Sequence, residues 1–178
     1  MKKTEIKEKD MNSREGFSLI ELIIAIAVLA IMVGIISLST ALLRSADTRG
    51  LANKINDSLT DLKSMSEAHT GPYYLHLYRV DDDGYYRLFD SSASFSEPAT
   101  KESSDRLGPD SMAIVVNGGA SGVLGDDIDS VTIRINKKDG SYFGGAPTSF
   151  DIKKGKDDSS PVDYKVILAE KTGLHYVD

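Results

Sequence analysis

The amino-acid sequence predicts an α+β protein, in which a long N-terminal helix precedes an antiparallel β-sheet of about five to seven strands. The chain has no proline between Phe17 and Thr70, and this stretch is rich in Leu, Ala and Ile, which favours a helix. Beyond Pro72 the hydrophobic pattern changes to strict alternation, and turn residues separate short apolar runs. We expect the second half of the helix to pack against the sheet.

The first half of the helix is an almost unbroken apolar run. As a helix, Leu22 to Leu43 would extend ~33 Å, enough to cross the ~30 Å hydrocarbon core of a bilayer. We therefore predict a transmembrane segment over residues 17–44. Because Lys and Arg near a membrane segment mark its cytoplasmic side, residues 1–16, which carry five basic residues, are expected in the cytoplasm. Residues 45–178 would then lie outside.

Glu21 is the only charged residue inside this apolar run. An acidic residue at the centre of a membrane helix costs ~2.5–3.5 kcal/mol on translocon scales, so its presence suggests a function. An ordinary secretory signal would have a shorter apolar core of ~7–15 residues, followed by a small-residue cleavage site. A plain single-pass anchor would leave Glu21 unexplained.

The junction Gly16-Phe17-Ser18-Leu19-Ile20-Glu21 resembles the N-terminus of type IV pilins and pseudopilins, and the similarity extends over residues 14–43. The resemblance implies that a prepilin peptidase cleaves between Gly16 and Phe17 and then N-methylates Phe17. Residues 1–16 would be the prepilin leader peptide. The resemblance also implies that Glu21 pairs with the Phe17 amine of a neighbouring subunit during assembly. The implied partners are membrane lipid, other pilin or pseudopilin subunits and an inner-membrane assembly platform.

Residues 45–178 are expected to form one extracytoplasmic domain, with helix to about residue 69 and sheet from about residue 73. An apolar stripe marks the helix face that packs on the sheet: Leu51, Ile55, Leu59, Leu62 and Met65. The predicted strands are residues 73–80, 85–90, 112–117, 131–135, 150–153, 162–169 and 174–177, of which the first two and the last two form hairpins. Residues 91–110 and 117–129 are predicted to be loops.

The composition of this domain argues against several functions. It has 15 basic and 22 acidic residues, and the net charge of −7 disfavours binding to nucleic acid. No Ser/His/Asp arrangement with usable spacing is present, so we expect neither an enzyme nor a cofactor. The three histidines are far apart and are expected at the surface. Asp126, Asp127 and Asp129 are a weak candidate for calcium, because acidic turns are usually only solvated.

The C-terminal residues 164–177 resemble the final strands of minor pseudopilins and minor pilins, which implies a minor or tip subunit. The filament could be a type IV pilus, a type II secretion pseudopilus or a competence pilus. One alternative is an adhesin or DNA-uptake receptor that a filament displays. A third is a single-pass surface protein with no role in a filament.

Overall fold

The structure, a computed structural model, describes residues 18–98, 104–156 and 159–178, except the side chains of residues 35–45. The chain divides into two compact units, Met1–Ala41 and Leu42–Asp178. The described residues contain one helix, α1 (Leu19–Ala68), and nine strands. The α+β class is thus confirmed.

In the first unit, the large apolar side chains from Leu19 to Val33 are all more than half exposed. Within the described part of the chain, no helix is both long enough and apolar enough to span a membrane. The segment predicted to do so, residues 17–44, includes Phe17 and the side chains of residues 35–44, which lie outside the described part.

In the second unit, α1 buries the predicted stripe. Leu51, Ile55, Leu59 and Leu62 are at most 1 % exposed, whereas Met65 is only partly buried. The same face continues through the small buried side chains of Thr48, Ala52, Ser58 and Ser66. Small residues on this face let the helix backbone approach the strands closely. The helix ends at Ala68, three residues before Gly71-Pro72.

The strands form two antiparallel sheets. In chain order they are β1 (Tyr74–Val80), β2 (Gly84–Asp90), β3 (Asp105–Pro109), β4 (Ala113–Asn117), β5 (Gly122–Val123), β6 (Ser130–Arg134), β7 (Ser149–Lys153), β8 (Val162–Ala169) and β9 (Leu174–Val177). The four-stranded sheet has the order β3-β2-β1-β6, and the five-stranded sheet has the order β5-β4-β7-β8-β9. Both predicted hairpins, β1–β2 and β8–β9, are confirmed.

The prediction of a single sheet of five to seven strands was wrong. β3 and β5 lie in segments that were predicted to be loops, because their sequences, Asp-Arg-Leu-Gly-Pro and Gly-Val, carry little strand propensity. Tertiary contacts stabilise β3, which pairs with β2 and buries Leu107 in the core. β7 pairs with β4 and β8 rather than with β6, and this pairing separates the two sheets.

The two sheets and the second half of α1 share one hydrophobic core. The larger contributors from the sheets are fully buried: Leu75, Leu77, Ile133, Ile114, Phe150 and Ile152. Polar contacts join α1 to both sheets. Arg87 of β2 donates to Ser58 Oγ at 3.0 Å and to Asp61 Oδ2 at 2.9 Å, and the His175 ring of β9 lies 3.0 Å from Thr60 Oγ1. The helix therefore bridges the sheets through apolar and polar contacts.

This packing predicts that residues 45–178 fold without the preceding segment. The buried core of the described residues lies wholly within the unit Leu42–Asp178, and most of the hydrophobic excess precedes Arg44. We expect the truncated chain to be monomeric by size-exclusion chromatography, with the circular dichroism of a mixed α/β protein. An aggregated or unfolded fragment would place the domain boundary elsewhere.

Candidate functional site

Gly16 and Phe17, the predicted cleavage junction, lie outside the described residues, and the described part of the site begins at Ser18. The Ser18 carbonyl oxygen accepts hydrogen bonds from the Glu21 N–H at 3.0 Å and the Leu22 N–H at 3.1 Å. Ser18 Oγ lies 3.3 Å from the Glu21 nitrogen and accepts from the same N–H. Ser18 is therefore the N-cap of α1. We did not predict this role from the sequence, although Ser18-Leu19-Ile20-Glu21 has the Ser-x-x-Glu pattern of a capping box.

Glu21 is exposed in the first turn of α1. A carboxylate there is stabilised by the partial positive charge of the helix N-terminus, typically by about 0.3–1 kcal/mol. No described residue forms an ion pair with Glu21. The Glu21 carboxylate therefore stabilises the N-terminus of α1, and it can still form an ion pair with a cation from another molecule.

An apolar surface surrounds α1 around Glu21 and along the following turns of the helix. Eleven large apolar side chains between Leu19 and Val33 are 51–77 % exposed, and they project on all sides of the helix. A helix that is apolar on all sides is normally buried in a protein or in lipid, and soluble monomers rarely expose a patch of this extent. This surface therefore requires a partner, either lipid or other helices.

The three aspartates of the weak calcium candidate have separate contacts. Asp126 accepts from Arg79 Nη1 at 2.9 Å, and Asp127 Oδ2 accepts from the Val123 N–H at 2.8 Å. Asp129 lines a cavity of about 570 Å³. Among the residues that the structure describes, no group of three or more His, Cys, Asp or Glu side chains is arranged to hold a metal ion.

His76 is buried, contrary to the expectation of a surface position, because the segment around Phe95 covers the outer face of β1. Its Nε2 lies 3.0 Å from the Ser92 carbonyl oxygen, and its Nδ1 lies 2.8 Å from Thr132 Oγ1. In the neutral ring, Nε2–H donates to the carbonyl and Nδ1 accepts from the hydroxyl. Burial lowers the pKa of His76 below its ordinary value.

This shift predicts a pH-dependent stability. Because the folded state holds His76 neutral, its contribution is fully present above the unfolded pKa of ~6.5 and is lost as the pH falls through the lower folded pKa. We expect residues 45–178 to unfold at lower urea concentration at acidic pH than at neutral pH, and His76→Gln to reduce that difference. Burial also lowers the pKa of His175, so His175→Gln measures the share of the pH dependence that comes from that second histidine. An unchanged pH dependence in the His76 variant would exclude this role.

Residues 11–37 match the family model for the prokaryotic N-terminal methylation motif. This is the N-terminal signal of type IV pilins and pseudopilins, as the sequence analysis predicted. No curated protein and no solved structure matches the chain.

The motif indicates a type IV pilin-like or pseudopilin-like N-terminal segment. It implies processing by a prepilin peptidase and assembly with other pilin subunits.

Proposed function

We propose that this protein is a structural subunit of a type IV pilus, a type II secretion pseudopilus or a competence pilus. Cleavage between Gly16 and Phe17 releases the leader, and the mature chain assembles through α1. One observation carries this proposal: the methylation motif over residues 11–37 overlaps a helix surface that, over the described side chains 19–34, is apolar on all sides and interrupted only by Glu21.

The apolar surface has two successive environments in this proposal. Before assembly, residues 17–44 lie in the cytoplasmic membrane, with the leader on the cytoplasmic side and residues 45–178 outside. After assembly, neighbouring helices replace the lipid. Glu21 is then surrounded by protein, and the N-methylated amine of Phe17 from another subunit neutralises it. A buried charge without such a partner would cost several kcal/mol.

The place of the subunit in the filament is part of the proposal. The C-terminal hairpin β8–β9 supports a minor or tip position, because its sequence is similar to the tails of minor subunits. β9 is also an edge strand, and Leu174 and Tyr176 on it are more than half exposed. We expect the copy number in purified filaments to be well below that of the main subunit; a chain that forms most of the filament mass would contradict this position.

The experiment that tests the proposed function is fractionation of cells that also express a prepilin peptidase and an assembly ATPase. We expect the processed chain in sheared filaments as well as in membranes. A chain that remains wholly in the membrane would favour the single-pass surface protein. Filament incorporation together with specific ligand binding by residues 45–178 would favour the displayed adhesin or DNA-uptake receptor, although the domain charge of −7 opposes DNA.

A further inference from the structure

One end of the globular domain is strongly acidic. The β1–β2 turn and the loop after β5 meet there, since the Arg79 guanidinium contacts Asp81 at 3.8 Å, Asp110 at 2.7 Å and Asp126 at 2.9 Å. We define the acidic end by eight carboxylates: Asp81, Asp82, Asp83, Glu97, Asp110, Asp126, Asp127 and Asp129. Three described cations contact these carboxylates: Arg79, Arg106 and Lys156. Over these eleven described residues the acidic end carries an excess of five negative charges.

The other end of the globular domain carries a cluster of four lysines. Lys137 and Lys138 are exposed on the turn between β6 and β7, which the hydrogen bond from the Asn136 N–H to the Ser141 carbonyl closes at 2.8 Å. Lys63 of α1 reaches the same turn, since its Nζ lies 3.8 Å from the position that a Cβ on Gly140 would take. Together with Lys171 these residues define the basic end. No ion pair joins the four lysines to any residue in the described ranges.

Two contacts bring Lys171 to the basic end. Gly173 packs directly on the Gly140 carbonyl oxygen, and the Tyr142 N–H donates to the Glu170 carbonyl oxygen at 2.9 Å. The β8–β9 turn therefore lies against the β6–β7 turn.

The carboxylates at the basic end do not cancel its charge. They are Glu67, Asp139 and Glu170, of which Asp139 is engaged within its own turn by the N–H and the hydroxyl of Ser141. Arg134 adds a further cation beside the rings of Tyr74 and Phe143. A cavity of about 300 Å³ opens between Lys63 and the β6–β7 turn, and the buried Ser66 Oγ on its wall has no hydrogen-bond partner in the described part of the chain. Three lysines and two carboxylates line this recess, so its lining has a net positive charge of one: Lys63, Lys137, Lys138, Glu67 and Asp139.

The two ends lie at opposite ends of the same elements. Val80, at one end of β1, adjoins the acidic turn, whereas Tyr74, at the other end, pairs with Arg134. Seven residues of strand separate them by about 20 Å. α1 lies along the same axis and runs opposite to β1, because Leu51 lies beside Pro109 near the acidic end and Ser66 lies beside the β6–β7 turn. Charge therefore changes sign along the helix direction.

We propose that the acidic end of one copy of this protein docks onto the basic end of the next copy along the filament. This rests on the proposed function, because subunits that assemble through parallel α1 helices are displaced along the helix direction. The contact joins one surface of a copy to a different surface of the next copy. A contact of this kind repeats from copy to copy and builds an open helical assembly. Opposite charges fix the order and orientation of the copies. The contact requires at least two adjacent copies of this chain in the filament. A minor subunit that is present as a short stack meets this requirement, whereas a single copy at the tip does not.

Charge reversal in the full-length chain tests this contact. Lys137→Glu, Lys138→Glu and Lys171→Glu together reverse the basic end. Asp81→Lys, Glu97→Lys and Asp129→Lys together reverse the acidic end, from an excess of five negative charges to an excess of one positive charge; all six side chains are exposed. Asp82 is left unchanged because its φ of 58° disfavours a lysine. We expect each triple variant to remain processed in membranes but to fall at least tenfold in sheared filaments. The chain with all six reversals keeps the net charge of the natural protein and should recover.

A cysteine pair supplies an independent test, since the chain has no cysteine of its own. We expect oxidised filaments that contain Asp81→Cys and Lys138→Cys in one chain to give a ladder of cross-linked copies. Either single cysteine should give none, whereas a symmetric contact would give dimers from one of them. Normal incorporation of both reversed variants, no recovery in the chain with all six reversals, or no ladder would overturn the proposal. Absence of the natural chain from filaments would instead reject the proposed function.

Discussion

Glu21→Ala is expected to leave cleavage and membrane association intact and to remove most of the subunit from filaments. In the membrane, the carboxylate lies in the first turn of α1 and can reach the interface, so its loss should not impede insertion. In the filament, its loss leaves the neighbouring Phe17 amine as a buried charge without a partner. Breaking a buried pair costs about 3–5 kcal/mol, which corresponds to a fall in incorporation of roughly 100-fold or more.

Two further variants separate ion pairing from helix capping. Ser18→Ala removes the hydrogen bond from the Glu21 N–H to Ser18 Oγ but keeps the carboxylate. Loss of an N-cap costs about 1 kcal/mol, so this variant should assemble nearly normally. Glu21→Gln preserves the capping-box pattern and one hydrogen-bonding group but removes the charge, and it should be intermediate. The readout is the ratio of processed chain in sheared filaments to processed chain in membranes.

The opposite order of effects would change the interpretation. If Ser18→Ala reduced incorporation as strongly as Glu21→Ala, the helix start would matter more than the charge. If Glu21→Ala assembled normally, Glu21 would not set the register of the subunits, as could hold for a subunit that is added first.

Gly16→Val is expected to abolish processing, the second large effect. The peptidase must accept an extended backbone at the scissile bond, and glycine alone presents no side chain there. The uncleaved chain would keep its charged leader and an acylated Phe17 nitrogen, so the amine that neutralises Glu21 would not exist. We therefore expect unprocessed chain in membranes and none in filaments.

Gly16→Ala is the matched control for size, because it adds only a methyl group. Partial cleavage of the alanine variant with no cleavage of the valine variant would show that the limit is steric. Efficient cleavage of the valine variant would place the junction elsewhere.

The sequence predicted the elements whose signals are local. The β8–β9 hairpin has the predicted bounds, because alternating apolar residues and a Thr-Gly turn specify it within 16 residues. β3 and the division into two sheets were not predictable in this way. Their stability comes from pairing with distant strands and from burial of Leu107 against α1. His76 was misplaced for the same reason, since a distant segment covers it.

In the candidate site, too, features with a local sequence signal were predictable and features that depend on distant residues were not. Glu21 stood out because one charge in an apolar run is visible without any structure. Ser18 and Glu21 have the spacing of a capping box, but the cleavage junction in the same segment accounted for both residues in the sequence-based prediction. The acidic and basic ends could not be found from the sequence, because Lys63, Lys137 and Lys171 are far apart in the chain and meet only through the folded turns.

The most direct test of the account is the mass of the mature chain in sheared filaments. We predict a protein that begins at Phe17 and carries one methyl group on its N-terminal amine. An intact Met1 terminus, in cells that cleave other prepilins, would contradict the assignment of this chain as a processed filament subunit.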